Sequence, residues 1–264
     1  MTDERALELF GIRMFFSNPK NEMYHYSHDE IKENIDAMKR IIQLNPILSR
    51  EEQNFLQCVY KAAISSPRDI LSRLQSDILA EDDSSLHLRT DLVPFPKNDL
   101  SPYVRERLIE FREKIKTEIV EICQDFMNLV ETHLLSYASA PEDRVFYKKL
   151  LGDYSRYMFE AVKNEENQQK AYRYYKEALE ISQDDLPPTH YLSLGLIVNY
   201  TVFLYDVMGR HDEAIDWAKR TLDEVSYLDD QLDNNALNYL GLIKENIGRW
   251  EEIRRLSFLS SFKS

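Results

Sequence analysis

The chain has 264 residues, of which 43% are hydrophobic and 30% charged, with only six glycines and a formal net charge of −13. That is enough apolar material for one large core. The acidity excludes nucleic acid as the main partner, because phosphate backbones need a basic footprint, and it opposes attraction to anionic membranes. No run approaches the roughly 18 apolar residues that span a bilayer. The opening Met1-Thr-Asp-Glu-Arg lacks the basic-then-apolar layout of a secretory signal. A cytoplasmic protein is therefore expected, with Cys58 and Cys123 as reduced, buried thiols inside apolar helical patterns.

Taken in chain order, nearly every segment reads as helix, and no alternating strand pattern stands out. A first helix covers roughly Asp3 to Phe16. Residues 29–43 carry Ile31, Ile35, Met38, Ile41 and Ile42, an amphipathic stripe at spacings of three and four. Ser49 followed by Glu51 and Glu52 predicts a helix start with acidic residues in its first turn, and this helix runs towards residue 79 with Pro67 inside it. The segment 81–100 is a polar, proline-containing loop, longer than most loops of compact domains. Residues 105–136 are periodic, with Leu108, Phe111, Ile115, Ile119, Ile122 and Phe126 on one face. Further helices fit 142–163, 166–182, 190–208, 211–228 and 232–255. Pro187, Pro188 and Thr189 mark one start and Gly209 one stop.

Two of these helices carry paired cations. Positions i and i+7 of a helix fall within about 20° of each other. Lys149 and Arg156 have that spacing, with Tyr157 adjacent, and Lys61 and Arg68 repeat it. Two such stripes suggest an anion site between helices, since guanidinium forks make paired, charge-assisted bonds to phosphate oxygens and a phenol adds another donor. Two later helices offer further faces. Asn199, Val202 and Asp206 sit at i, i+3 and i+7, and Leu242, Asn246 and Trp250 at successive spacings of four.

Three blocks carry a resemblance. Gly152-Asp-Tyr-Ser-Arg-Tyr157 resembles the signature of the 14-3-3 phosphopeptide-binding family. So do Leu186-Pro-Pro-Thr-His190 running into Leu194-Gly-Leu-Ile-Val-Asn-Tyr-Thr-Val-Phe203, and Leu48-Ser-Arg-Glu-Glu-Gln-Asn-Phe-Leu-Gln-Cys-Val-Tyr-Lys61. The likeness covers roughly residues 28–250, apart from an insertion at 81–100. An atypical segment 1–27 and a short tail, 253–264, lie outside it. It implies a single all-α domain over 1–264: a bundle of about nine antiparallel helices forming a cup with a concave amphipathic groove.

The same resemblance implies a non-catalytic adaptor without cofactor or metal, whose partners are phosphorylated client proteins. Lys61, Arg68, Arg156 and Tyr157 match the phosphate-holding residues, and Lys149 matches a position lining the same groove. Asn199 and Asn246 match asparagines that bond the backbone of an extended peptide, with Val202, Asp206, Leu242 and Trp250 beside them. Arg249 departs from the family's usual leucine, which reshapes the apolar wall. A homodimer of non-standard geometry is expected: Glu33 and Lys114 keep a complementary pair and Phe111 an apolar contact, whereas Glu30 replaces an arginine and would face Glu118. In the tail, Arg254-Arg-Leu-Ser257 resembles both a basophilic kinase target and a ligand of the family, making phosphorylated Ser257 a candidate internal ligand.

Two other classes compete. An enzyme would need chemistry that the chain does not advertise: its histidines form no metal pattern, and it carries no glycine-rich phosphate loop or nucleophile elbow. A tetratricopeptide-like scaffold binding acidic peptides without phosphate is the second, because Ala178 and Ala214 lie near the roughly 34-residue period of such arrays. The remaining repeat positions do not recur in register.

Overall fold

The computed structural model describes residues 2–16, 27–79, 102–227 and 232–261; the expected insertion at 81–100 lies outside them. Among the described residues nine α-helices account for most of the chain: α1 (Thr2–Phe16), α2 (His28–Leu44), α3 (Arg50–Leu79), α4 (Pro102–Leu129), α5 (Pro141–Val162), α6 (Glu165–Asp185), α7 (Tyr191–Val202), α8 (His211–Ser226) and α9 (Asn234–Ser261). Val130–Leu134 and Phe203–Val207 are π-turns, and no strand is present among the described residues. The all-helical expectation holds. The chain divides into two compact units, residues 1–134 with 160–162, and residues 135–159 with 163–264.

In the first unit α1 packs on α2, α2 on α3, and α3 on α4. Local chemistry sets where these helices start. Ser27 caps α2 in a reciprocal box: its hydroxyl accepts from the Glu30 amide while the Glu30 carboxylate accepts from the Ser27 backbone N–H at 3.0 Å, which ties up two otherwise orphaned donors. Ser49 and Glu52 repeat the device ahead of α3, at 2.7 and 3.4 Å. Met38, Ile41, Leu56, Tyr60, Ile64, Ile119 and Phe126 form the core. At its edge the half-buried Asp125 accepts from Lys39 at 2.6 Å and from the Tyr60 hydroxyl at 2.7 Å.

α1 is clamped rather than merely packed. Arg5 donates to Glu52 and to the backbone carbonyls of Ile41, Asn45 and Ile47. Glu8 pairs with Arg40, and Arg13 with Glu51.

Cys123 is buried as expected, but Cys58 is exposed. The apolar stripe of α3 runs through Leu56, Val59, Tyr60 and Ile64. Cys58 lies instead on the outward stripe of Asn54, Lys61, Ser65 and Ser72, all exposed, because one residue turns a helix by about 100°.

In the second unit α7 packs against α6, α8 and α9. Tyr175, Tyr200, Phe203 and Trp250 are among its largest fully buried side chains. α7 is capped by His190, whose Nδ1 accepts from Leu192 N at 3.3 Å, so its start lies just past Pro187-Pro188-Thr189. The stop at Gly209 is as expected, with φ +64°, a conformation that glycine adopts without penalty. α9 continues to Ser261, further than the sequence pattern suggested.

Candidate functional site

The candidate residues of the first unit stand on α3. Lys61 is exposed. Arg68 is half-buried and directs its guanidinium at Glu160, with Nη2 at 2.7 Å and Nε at 3.3 Å from the same carboxylate oxygen. Pro67, just before it, sits inside the helix without ending it.

The second unit holds most of the expected residues, organised around one carboxylate. Asp153 is i+4 from Lys149 and i−3 from Arg156, so one face of α5 presents all three. Lys149 Nζ lies 2.9 Å from Asp153 Oδ2, and Arg156 Nη2 lies 3.7 Å from Oδ1. α6 contributes the Tyr175 hydroxyl, which donates to Asp153 Oδ1 at 2.5 Å and accepts from Arg156 Nε at 3.4 Å. α7 contributes Asn199, whose Nδ2 donates to both carboxylate oxygens at 2.8 and 2.9 Å. Lys149, Asp153 and Arg156 are all at least nine-tenths buried.

The electrostatics follow from this clustering. Burial alone would raise the Asp153 pKa, but the charges of Lys149 and Arg156 and the bonds from Lys149 and Tyr175 outweigh it and hold the carboxyl below its usual range. Lys149 is the mirror case: burial works to strip its proton, and Asp153 raises its pKa nonetheless. Burial, then the neighbouring carboxylate, pushes the Tyr175 phenol well up, so it stays a donor. Two cations and one anion remain charged in a nearly dry cluster. The Arg156 guanidinium also lies over the Tyr157 ring, 4.6 Å from its centroid.

The close approach of α6 to α5 depends on Gly152. A Cβ there would meet the Tyr175 ring at 2.8 Å, inside contact distance.

The peptide-wall candidates divide between α7, its π-turn and α9. Asn199 has turned its amide nitrogen to Asp153, which leaves its carbonyl oxygen as the group on offer. Val202 is half-buried and Asp206 exposed. The straight i, i+3, i+7 face is interrupted, because Asp206 lies in the Phe203–Val207 π-turn, where Met208 N reaches back to Phe203 O. Gln168 of α6 donates to the Val207 carbonyl at 3.0 Å, meeting an acceptor of the widened turn.

On α9 Leu242 is 44% exposed and Asn246 half-buried. Asn246 Oδ1 accepts from Arg249 Nη2 at 3.2 Å, so its amide N–H groups are what it offers. Trp250 is completely buried and stacked on Tyr205, with centroids 4.6 Å apart and planes 9° from parallel. Its Nε1 has no hydrogen-bond partner among the described residues.

Residue-by-residue reading of the sequence missed the centre of this cluster. Asp153 and Tyr175 were not candidates, although Asp153 stands inside the block that carries the resemblance. The available signal was its i−4 and i+3 relation to two cations on one helix. Tyr175 had no local signal, because only the packing of α6 on α5 brings it there.

For the expected dimer contacts, Glu33, Phe111 and Lys114 are all exposed. Glu30 is engaged within its own chain by Ser27, whose bonds lower its pKa.

Comparison with known proteins places the sequence in one family. The 14-3-3 protein family model matches residues 24–251. The chain is 30% identical over 224 residues to 14-3-3-like protein 2 of Caenorhabditis elegans, covering 81% of this chain and 82% of that protein. It is 31% identical over 221 residues to 14-3-3 protein beta/alpha-B of Xenopus laevis, covering 81% and 84%. It is 31% identical over 229 residues to 14-3-3-like protein B of Vicia faba, covering 84% and 82%. α1 falls outside the matched segment. The chain is therefore a divergent member of the 14-3-3 family of non-catalytic, phosphopeptide-binding adaptors.

Proposed function

We propose that this protein clamps phosphoserine or phosphothreonine of cytoplasmic client proteins and holds the flanking chain extended. Arg68, Arg156 and Tyr157, with Lys61, supply donors to the phosphate, and Lys149 adds charge nearby. Asn199 and Asn246 bond the client backbone, beside Val202, Asp206 and Leu242; Trp250, expected on this wall, is completely buried and does not reach a client. The observation that carries this reading is the Asp153 cluster, which keeps two buried cations charged and fixed. The two asparagines complement each other: Asn199 has a carbonyl oxygen to spare and Asn246 its N–H groups, which suits the alternating N–H and C=O of an extended peptide.

The protein acts as a homodimer in this reading, with Glu33, Phe111 and Lys114 at its seam. Its geometry differs from the family's because Glu30 replaces an arginine and serves the α2 cap. The tail provides regulation: phosphorylated Ser257 competes with clients at high effective concentration. Ser257 lies exposed on the last turns of α9, where Arg254 pairs with Asp212 at 3.2 Å and Arg255 with Glu252 at 2.8 Å. A phosphate near a helix C-terminus opposes the helix dipole, which favours release of these turns into the extended form that a groove accepts.

Fluorescence anisotropy tests the central reading. The unphosphorylated full chain is titrated into an arginine-rich phosphoserine peptide, its serine twin and a glutamate mimic. Micromolar or tighter binding of the phosphopeptide alone supports the proposal. Equal binding of the phosphorylated and acidic peptides overturns it in favour of a phosphate-independent scaffold.

A further inference from the structure

On α9 the positions Leu242, Asn246, Arg249 and Ile253 follow one another at helical spacings and so share one face. Leu242, Arg249 and Ile253 are exposed and Asn246 is half-buried. Arg249 is thus a cation set between two exposed apolar side chains. It is anchored at one corner, because Nη2 donates to Asn246 Oδ1 at 3.2 Å. A guanidinium carries five N–H donors in a rigid fork, so this single bond leaves an edge directed away from Asn246. The anchor also reduces the rotamer entropy that a free arginine would lose on gripping a ligand.

We infer that Arg249 is a specificity-determining residue that selects phosphopeptides with an aspartate or glutamate close to the phosphorylated residue. The inference rests on the receptor reading above, which makes this face of α9 a wall for the client chain. The chemistry points to a carboxylate because a guanidinium fork and a carboxylate make two parallel, charge-assisted bonds. A leucine at this position would reward an apolar flank instead. Arg249 also repels a client arginine brought against it, so selection works by penalty as well as by gain. Asn246 serves both functions, since the bond that fixes Arg249 also turns its amide N–H groups towards the client backbone.

The test uses the full chain and one phosphoserine peptide whose flanks are otherwise alanine. A single glutamate, leucine or arginine is moved through the positions on either side of the phosphoserine, and every peptide has an unphosphorylated twin. Anisotropy is measured for the wild type and for Arg249→Leu and Arg249→Lys. At one position wild type should prefer glutamate to leucine by about three- to fivefold, the size expected of a partly exposed ion pair. Arg249→Leu should abolish or reverse that preference, and Arg249→Lys should keep a smaller part of it. The variants alter an exposed side chain, and circular dichroism with an unchanged urea midpoint verifies their fold; the preference is read within each variant, so a general change in affinity cancels.

Phosphate-dependent binding indifferent to the flank overturns this inference alone. So does a glutamate preference that survives in Arg249→Leu. Equal binding of phosphorylated and unphosphorylated peptides overturns the receptor reading, and this inference with it.

Discussion

Replacing Asp153 with asparagine separates two views of the cationic cluster. If Lys149 and Arg156 attract phosphate simply as charges, removing the carboxylate between them makes the site more positive, and phosphopeptide affinity should rise. If the carboxylate holds the cations and Asn199 in place, affinity should fall.

The structure favours the second outcome. The Asp153 carboxylate accepts from Lys149, Tyr175 and Asn199 at 2.5 to 2.9 Å, with Arg156 Nη2 at 3.7 Å. An asparagine keeps one acceptor oxygen and puts an NH₂ among these donors, so at least one bond becomes a donor–donor clash. It also leaves two buried cations without their counter-charge. Breaking a buried pair by removing one partner costs about 3–5 kcal/mol. The amide's remaining bond brings the expected loss of folding stability to about 2–4 kcal/mol. Urea unfolding followed by circular dichroism reads that loss as a lower midpoint at unchanged slope, and anisotropy reads the affinity. At least a tenfold weaker phosphopeptide affinity under conditions where the variant is folded is expected. Tighter binding, or a stability within about 0.5 kcal/mol of wild type, would refute the positioning argument.

The pH dependence carries the same signature with definite signs. The Asp153 pKa is lowered on folding, so its contribution is complete above the unfolded carboxylate value and is lost as pH falls through the lower folded value. The Lys149 pKa is raised, so its contribution is complete below the ordinary lysine value of 10.5 and is lost as pH rises through the folded one. Asp153→Asn should flatten the acid limb of a stability profile.

Other perturbations test separate parts. Gly152→Ala drives a methyl group into the Tyr175 ring; overpacking costs about 1–3 kcal/mol, read by urea midpoint, with weaker phosphopeptide binding because Tyr175 orients Asp153. If the proposed phosphate site is right, Arg156→Ala and Arg68→Ala should each weaken phosphopeptide binding roughly 10- to 100-fold, with no change for an unphosphorylated twin. Ser49→Ala removes one half of the α3 capping box and should lower stability by about 1 kcal/mol, leaving peptide affinity intact. Arg5→Ala removes four hydrogen bonds that tie α1 to the ends of α2 and α3 and leaves Glu52, nearly buried, unpaired by it. Proteolysis at α1 should accelerate in that variant, detected by mass spectrometry. Light scattering at micromolar concentration should give the mass of two chains; a single-chain mass removes the dimer.

The parts legible in the sequence were those with local causes. The start of α3 was readable because Ser49 and its following glutamates are a chemical device contained in four residues. The stop at Gly209 was readable because glycine adopts its φ at no cost. The π-turns at Val130–Leu134 and Phe203–Val207 were not, since an i to i+5 bond needs no particular residue and a periodicity argument assumes a regular α-helix. That assumption put Asp206 in line with Asn199 and Val202. The exposure of Cys58 follows from its angle on α3, which sets it outside the stripe of Leu56, Val59, Tyr60 and Ile64, and not from its apolar character. Long-range partners were illegible in principle: Tyr175 and Asn199 converge on Asp153 from two other helices.

The Asp153 cluster also bears on how so acidic a protein would discriminate among anions at the proposed phosphate site. The whole chain repels anions with its net charge of −13, and screening confines that repulsion to about 8 Å at physiological salt. Within the cluster two cations face one anion, so the local excess is a single positive charge. A carboxylate ligand carries one negative charge and two acceptor oxygens. A phosphomonoester at neutral pH carries about −1.5 to −2 and three acceptor oxygens. Against a weak local excess the doubly charged group gains about twice the Coulomb energy, and its third oxygen can use a donor that a carboxylate leaves unpaired. As a charge alone the buried acid opposes both groups, and it opposes the doubly charged phosphate about twice as strongly. Its contribution to the proposed site is therefore positional: it holds Lys149, Tyr175 and Asn199 in place, and that fixed arrangement outweighs the charge it subtracts.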